Sequence, residues 1–197
     1  MSWIKDREEF KQAALSAARA VSKNSNLEST VQASSRPPSM SQISLHHPPR
    51  SSAQVNAWRG EADFQTFWHT FHTENNPLRM PKLARDFFAE LELSRVEMLG
   101  GEAFPGSKLN IKDYLDTQAK KGIDNKVPAL NPLAINLWLK KLSGYELPEH
   151  SSNIVNAFLA SVAKNIEDIG KELIKAKSSQ ENFQLLSIDL LKDLELM

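Results

Sequence analysis

The chain has 197 residues, with 24 Lys plus Arg against 24 Asp plus Glu, so its formal charge is zero. That balance excludes a dedicated nucleic-acid clamp, which needs a basic surplus to displace counterions. The absence of cysteine excludes disulfide scaffolds, thiolate zinc sites, iron–sulfur clusters and cysteine nucleophiles, and seven glycines are too few for a glycine-rich nucleotide cradle.

Asp6 to Val21 reads as a first helix. Asp6 stands as cap with Glu9 three residues on, and Phe10, Ala13, Ala14, Ala17 and Val21 are spaced along one face. The charged opening, Lys5 to Lys11, lacks the apolar run of a secretory signal. No stretch of 18 apolar residues exists to span a membrane. Both point to a cytoplasmic chain with no membrane partner.

Ser22 to Ala57 changes character. Ten serines and four prolines fall between Ser22 and Ser52, and Leu27, Val31, Met40, Ile43 and Leu45 are isolated among them. So sparse an apolar content predicts a flexible segment without stable tertiary contacts. A short strand at Ser41–Leu45 is the one regular element it suggests. His46–His47 reads as a pair of solvated loop histidines.

From Trp58 onward the pattern is helical. Phe64, Phe67, Trp68 and Phe71 mark a helix over Glu61–Thr73. Pro81 suits the first turn of a second helix, which runs to Leu99 and stops at Gly100–Gly101. Asn110 is placed to cap a third, ending near Gly122. Asn131–Pro132 opens a fourth, stopping at Gly144. Ser151 or Ser152 opens a long fifth whose stripe runs from Val155 to Leu173, and a last helix covers Glu181–Leu194. The expected fold is mainly α: an irregular multi-helix domain over 58–197, preceded by a helix at 1–21 and a long Ser/Pro-rich linker at 22–57.

Two constellations can carry chemistry. His69 and His72, at i and i+3, share a helix face and are the candidate metal ligands. Against this stands the reading of two ordinary histidines beside a core aromatic stripe. Glu90, Glu92 and Glu97, with Arg85 and Arg95, make a charged face. Paired carboxylates serve acid–base work when burial separates them, but the spacing favours a solvated face with helix ion pairs. Arg95 differs: it sits near the apolar side, between Leu91 and Met98, and suits a buried pair with Glu92 or Asp63.

The run Ala84-Arg85-Asp86-Phe87-Phe88-Ala89-Glu90-Leu91-Glu92-Leu93-Ser94-Arg95-Val96-Glu97-Met98-Leu99-Gly100 resembles the signature helix of the CobT subunit of aerobic cobaltochelatase. Phe104-Pro105-Gly106-Ser107-Lys108-Leu109-Asn110-Ile111 is similar to the segment that follows it in that family. Arg59-Gly60-Glu61-Ala62-Asp63 looks like the family's R-G-x-A-D, and Ile188 to Leu194 like its close. Leu93, Phe104 and Ser107 depart from the family's glutamine, methionine and valine.

The resemblance covers the N-terminal helical region of subunits in which an acidic segment and a von Willebrand A-type domain follow. It implies a non-catalytic assembly domain of the ligase that inserts Co²⁺ into hydrogenobyrinic acid a,c-diamide during cobalamin synthesis. It implies no cofactor held by this chain, while the complex uses ATP, Mg²⁺ and Co²⁺. The partners implied are a AAA+ ATPase subunit and a large corrinoid-binding subunit, in a ring-shaped hetero-oligomer. Arg59, Glu61, Asp63, Arg95, Glu97, Gly100, Gly106 and Asn110 are then the partner-binding or domain-defining residues. Gly100 and Gly106 would shape the turn after the signature helix, and Asn110 would cap the next. The alternatives from other classes are a stand-alone helical adaptor and a metal-delivery protein using His69 and His72.

Overall fold

The computed structural model describes residues 7–49, 51–74, 79–123 and 131–197. Among them are eight α-helices and two short strands: α1 Arg7–Ser22, β1 Glu28–Val31, β2 Gln42–Leu45, α2 Val55–Phe71, α3 Lys82–Ala103, α4 Ser107–Ile123, α5 Leu133–Leu142, α6 Glu149–Ser161, α7 Glu167–Ala176 and α8 Gln180–Asp193. The mainly α, multi-helix architecture is as expected. The Asp6 cap lies outside the described residues.

α3 is the axis of the molecule. Phe87, Leu91, Val96 and Met98 on it join Phe64 and Phe67 of α2, Leu137 of α5, Phe158 of α6 and Leu190 of α8 in the main core. α2 crosses α4 so closely that a Cβ on Gly60 would overlap the Asn110 carbonyl and the Tyr114 side chain. Only glycine permits that approach.

The Ser/Pro-rich segment does not behave as a linker. β1 and β2 form a parallel ladder, with Ser29 opposite Ile43 and Val31 opposite Leu45. Leu27, Ile43 and Leu45 are buried with Ala18, Trp58 and Ala62 in a second core cluster. The residues between the strands carry Arg36 into the helical core, and α1 packs on this cluster. Composition had argued for mobility because each apolar residue is isolated in sequence. Folding brings three of them to one patch of α2, and a parallel pair needs a crossover that no local pattern reveals.

Other boundaries shift for local reasons. α1 buries Leu15 and Ala18, whereas Ala13 and Ala17 are exposed, so the packed face is displaced from the alanine stripe. α3 continues through Gly100–Gly101 to Ala103, where the Phe104 amide bonds to the Gly100 carbonyl. The expected stop fails because neither glycine takes a positive φ, whereas Gly144 (φ 89°) does so just past α5. The single long helix predicted from Ser151 is two. Val162 is extended, and the Asn165 side chain accepts the Glu167 amide at 3.0 Å, opening α7 anew.

Candidate functional site

The carboxylates of α3 are not solvated, contrary to the reading from spacing: Glu90, Glu92 and Glu97 are buried, with Glu97 only 1% exposed. Two separate clusters hold them. In the first, Arg36 reaches from the β1–β2 crossover and grips Glu90 through both oxygens, Nε to Oε1 at 2.8 Å and Nη2 to Oε2 at 2.7 Å. Its Nη atoms also reach Glu97 Oε1 at 3.4 Å. The guanidinium lies 5.1 Å from the Phe64 ring centroid and 5.7 Å from that of Tyr114, an arrangement that favours the planar cation of arginine. Burial works to lower the Arg36 pKa, but the Glu90 and Glu97 charges outweigh it and hold it well above its ordinary value.

From the other side, α5 supplies Lys140, whose Nζ stands 3.1 Å from Glu97 Oε2, and Asn136, whose amide donates to Glu90 and Glu97 oxygens at 3.2 Å each. Lys140 is paired by charge but has no aligned hydrogen-bond acceptor. Burial lowers its pKa, against the pull of Glu97. Two cations and two carboxylates thus close into a neutral core network. Tyr145 lies beside it; burial, with Glu97 and Glu102, pushes its phenol up to about 12.

The second cluster centres on Arg95, 2% exposed. It pairs with Glu92 in a fork, Nε to Oε2 at 2.9 Å and Nη2 to Oε1 at 2.7 Å, as expected; Asp63 is not its partner. It also donates to the Phe71 carbonyl at 2.6 Å, the Lys177 carbonyl at 3.2 Å and Gln180 Oε1 at 3.1 Å. One guanidinium therefore ties α3 to the end of α2 and the start of α8.

His72 lies one residue past α2, so the helical i, i+3 face it was to share with His69 does not exist. Its Nδ1 is 2.8 Å from Glu92 and its ring stacks on Trp68 at 3.8 Å. His69 is partly buried, and burial lowers its pKa against a bond to the Gln42 backbone. Among the described residues no group of three or more His, Cys, Asp or Glu is arranged to hold a metal ion.

Of the remaining motif residues, Arg59, Asp63 and Asn110 line a groove of about 370 Å³ between α1, α2 and α4. Arg59 lies over the Phe10 ring at 5.5 Å. Asp63 accepts from Asn110 Nδ2 at 2.8 Å. Burial raises the Asp63 pKa, opposed by Asn110 and Arg59. Asn110 is therefore no cap: α4 starts three residues earlier at Ser107, whose hydroxyl bonds to the Phe104 carbonyl at 2.7 Å. Gly100 shapes no turn; a Cβ there would overlap the Phe67 ring. Gly106 has neither a positive φ nor a neighbour within 4 Å of an added Cβ, so nothing in its surroundings demands glycine. Glu61, 2% exposed, belongs to a third polar cluster with Ser34 and His46.

Sequence reasoning missed Arg36, Lys140 and Asn136. Arg36 sits in a segment with no periodicity. Asn136 and Lys140, at i and i+4 on a helix whose other buried residues are apolar, did carry a signal: two polar residues on one face of a buried helix imply a polar counterpart.

A helical body built around one long charged helix is thus a scaffold held by buried ion pairs. The profile of the family described as cobalamin biosynthesis protein CobT matches residues 5–197, and the chain belongs to that family. Its role accordingly lies in cobalamin biosynthesis. No curated protein and no solved structure matches it.

Proposed function

We propose that this chain is a non-catalytic assembly domain of the cobaltochelatase complex, which inserts Co²⁺ into hydrogenobyrinic acid a,c-diamide. Its partners are a AAA+ ATPase subunit and a large corrinoid-binding subunit. ATP hydrolysis, with Mg²⁺, belongs to the first and the corrinoid to the second. The supporting observation is the fate of the signature residues. Arg95 and Glu97 face inward, clasped by Glu92, Lys140 and Arg36, and so fix the relative positions of α2, α3, α5 and α8. A body braced in this way transmits a push from one face to another without internal rearrangement, which suits a part that relays motion in a larger machine.

The test is reconstitution with the AAA+ subunit encoded in the same genome. With ATP, the two should co-elute as a ring-sized assembly by size-exclusion chromatography with mass determination. Separate elution in ATP, in ADP and without nucleotide would sink the proposal.

A further inference from the structure

The third polar cluster opens to solvent. Glu61 is a buried carboxylate on α2 whose Oε1 accepts the Ser34 hydroxyl at 2.8 Å and whose Oε2 accepts the His46 amide at 3.2 Å. A carboxylate only accepts, so His46 Nδ1, 2.6 Å from Oε1, is the donor. The other ring nitrogen, Nε2, is left as the imidazole's acceptor, on a side chain that is half exposed to solvent.

The backbone around it is held as firmly. The Trp58 indole donates to the His46 carbonyl at 2.9 Å. The Gln65 amide brackets Ser44 two residues earlier, accepting its N–H and donating to its carbonyl, both at 2.8 Å. His46 is 51% exposed and lines a cleft of about 340 Å³ together with His47, Glu61, Tyr114, Gln118 and Lys121.

We propose that this cleft binds a divalent first-row transition cation, anchored by His46 Nε2 with His47 as the second imidazole. A histidine that donates its far nitrogen to a carboxylate is the arrangement that orients and strengthens an imidazole ligand. Nitrogen donors select the d-block ions. Both Glu61 oxygens are already engaged by Ser34 and His46, so a hard cation seeking carboxylate oxygens finds none open. Glu61 is here a positioning residue and touches no metal. The remaining coordination positions are left to solvent, which makes the site open and exchangeable. This inference rests on His46, His47 and Glu61 alone and is independent of the assembly reading.

The test uses the full chain and Zn²⁺, followed by calorimetry and by ¹⁵N resonances of the histidine rings. Metal-free His46 should show the Nδ1–H tautomer, and one equivalent of Zn²⁺ should shift its Nε2. His46→Ala, a change at an exposed side chain, should abolish the one-to-one event, and His47→Ala should weaken it. Glu61→Gln should weaken it about 10–100-fold, with loss of the Nδ1–H preference that a merely structural role would not produce. His150→Ala, at a histidine on α6 that lies 3.9 Å from Asp116 and outside the cleft, should change nothing, and Mg²⁺ should not compete. An Nε2–H tautomer in the metal-free chain, or Zn²⁺ binding that survives His46→Ala, would overturn the proposal. Binding unaffected by His47→Ala would overturn the two-imidazole assignment.

Discussion

α3 and α7 carry the same chemical groups and use them in opposite ways. On α7, Glu167 and Lys171 pair at 2.7 Å and Lys175 reaches Glu172 at 2.7 Å, all at half or greater exposure. These are the local pairs that helix spacing anticipates, screened by water and weak. On α3, Glu90, Glu92 and Glu97 are buried and meet partners from the β1–β2 crossover and α5, apart from Arg95 on the same helix. A carboxylate's spacing along a helix says nothing of its solvation. What decides it is whether other elements arrive to cover the charge and neutralise it.

The largest effect that would sharpen this contrast is expected at Arg36. Arg36→Ala strips Glu90 of its forked partner in the core, and uncompensated buried charge costs roughly 3–5 kcal/mol. The urea midpoint should fall accordingly, and protease should gain access to the 32–41 crossover that Arg36 anchors. An unchanged midpoint would reduce the core network to the status of the α7 pairs.

Arg95→Ala belongs to the same class but leaves Glu92 with His72 as a neighbour, so a loss at the lower end of about 3–5 kcal/mol is expected. Arg95→Lys should also lose much of the stability, because lysine cannot reproduce the fork onto Glu92 while also reaching the Phe71 carbonyl. Full tolerance of lysine would show that charge alone, not geometry, matters there.

The two family glycines provide a smaller contrast. Gly100→Ala drives a methyl group into the Phe67 ring and should cost about 1–3 kcal/mol by overpacking. Gly106→Ala meets open space and should leave the thermal midpoint unchanged.

The network's field is also legible in pH. Tyr114 and Tyr145 are the chain's two tyrosines, and burial raises both, Tyr145 to about 12. Absorbance at 295 nm should stay flat through pH 10 in the native chain, while the urea-unfolded chain forms phenolate there. A folded pKa above the unfolded one contributes stability that is complete below about pH 10 and lost as pH rises through about 12. Tyr145→Phe should flatten that alkaline decline. Phenolate in the native chain at pH 10 would show that Tyr145 is wet.

At the far end of the scale, Lys175→Ala on the exposed face of α7 should leave the urea midpoint where it was. A drop comparable to that of Gly100→Ala would dissolve the distinction between the two helices.

The sequence by itself determined the helical class and the run of helices from Trp58 to Gly144, and it narrowed the partner of Arg95 to Glu92 or Asp63. Each depends on local regularities: the 3.6-residue spacing of apolar side chains, and an arginine three residues from a carboxylate on the apolar side. The tertiary structure alone decided that the serine- and proline-rich segment is packed, that Arg36 fills the space between Glu90 and Glu97, and that His46 is oriented by Glu61. These contacts join residues 54, 61 and 15 positions apart. Between such distant groups the chain carries no periodic signal, because the reach of periodicity ends with the element that generates it. A buried charge is recognised only once every element that surrounds it has been placed.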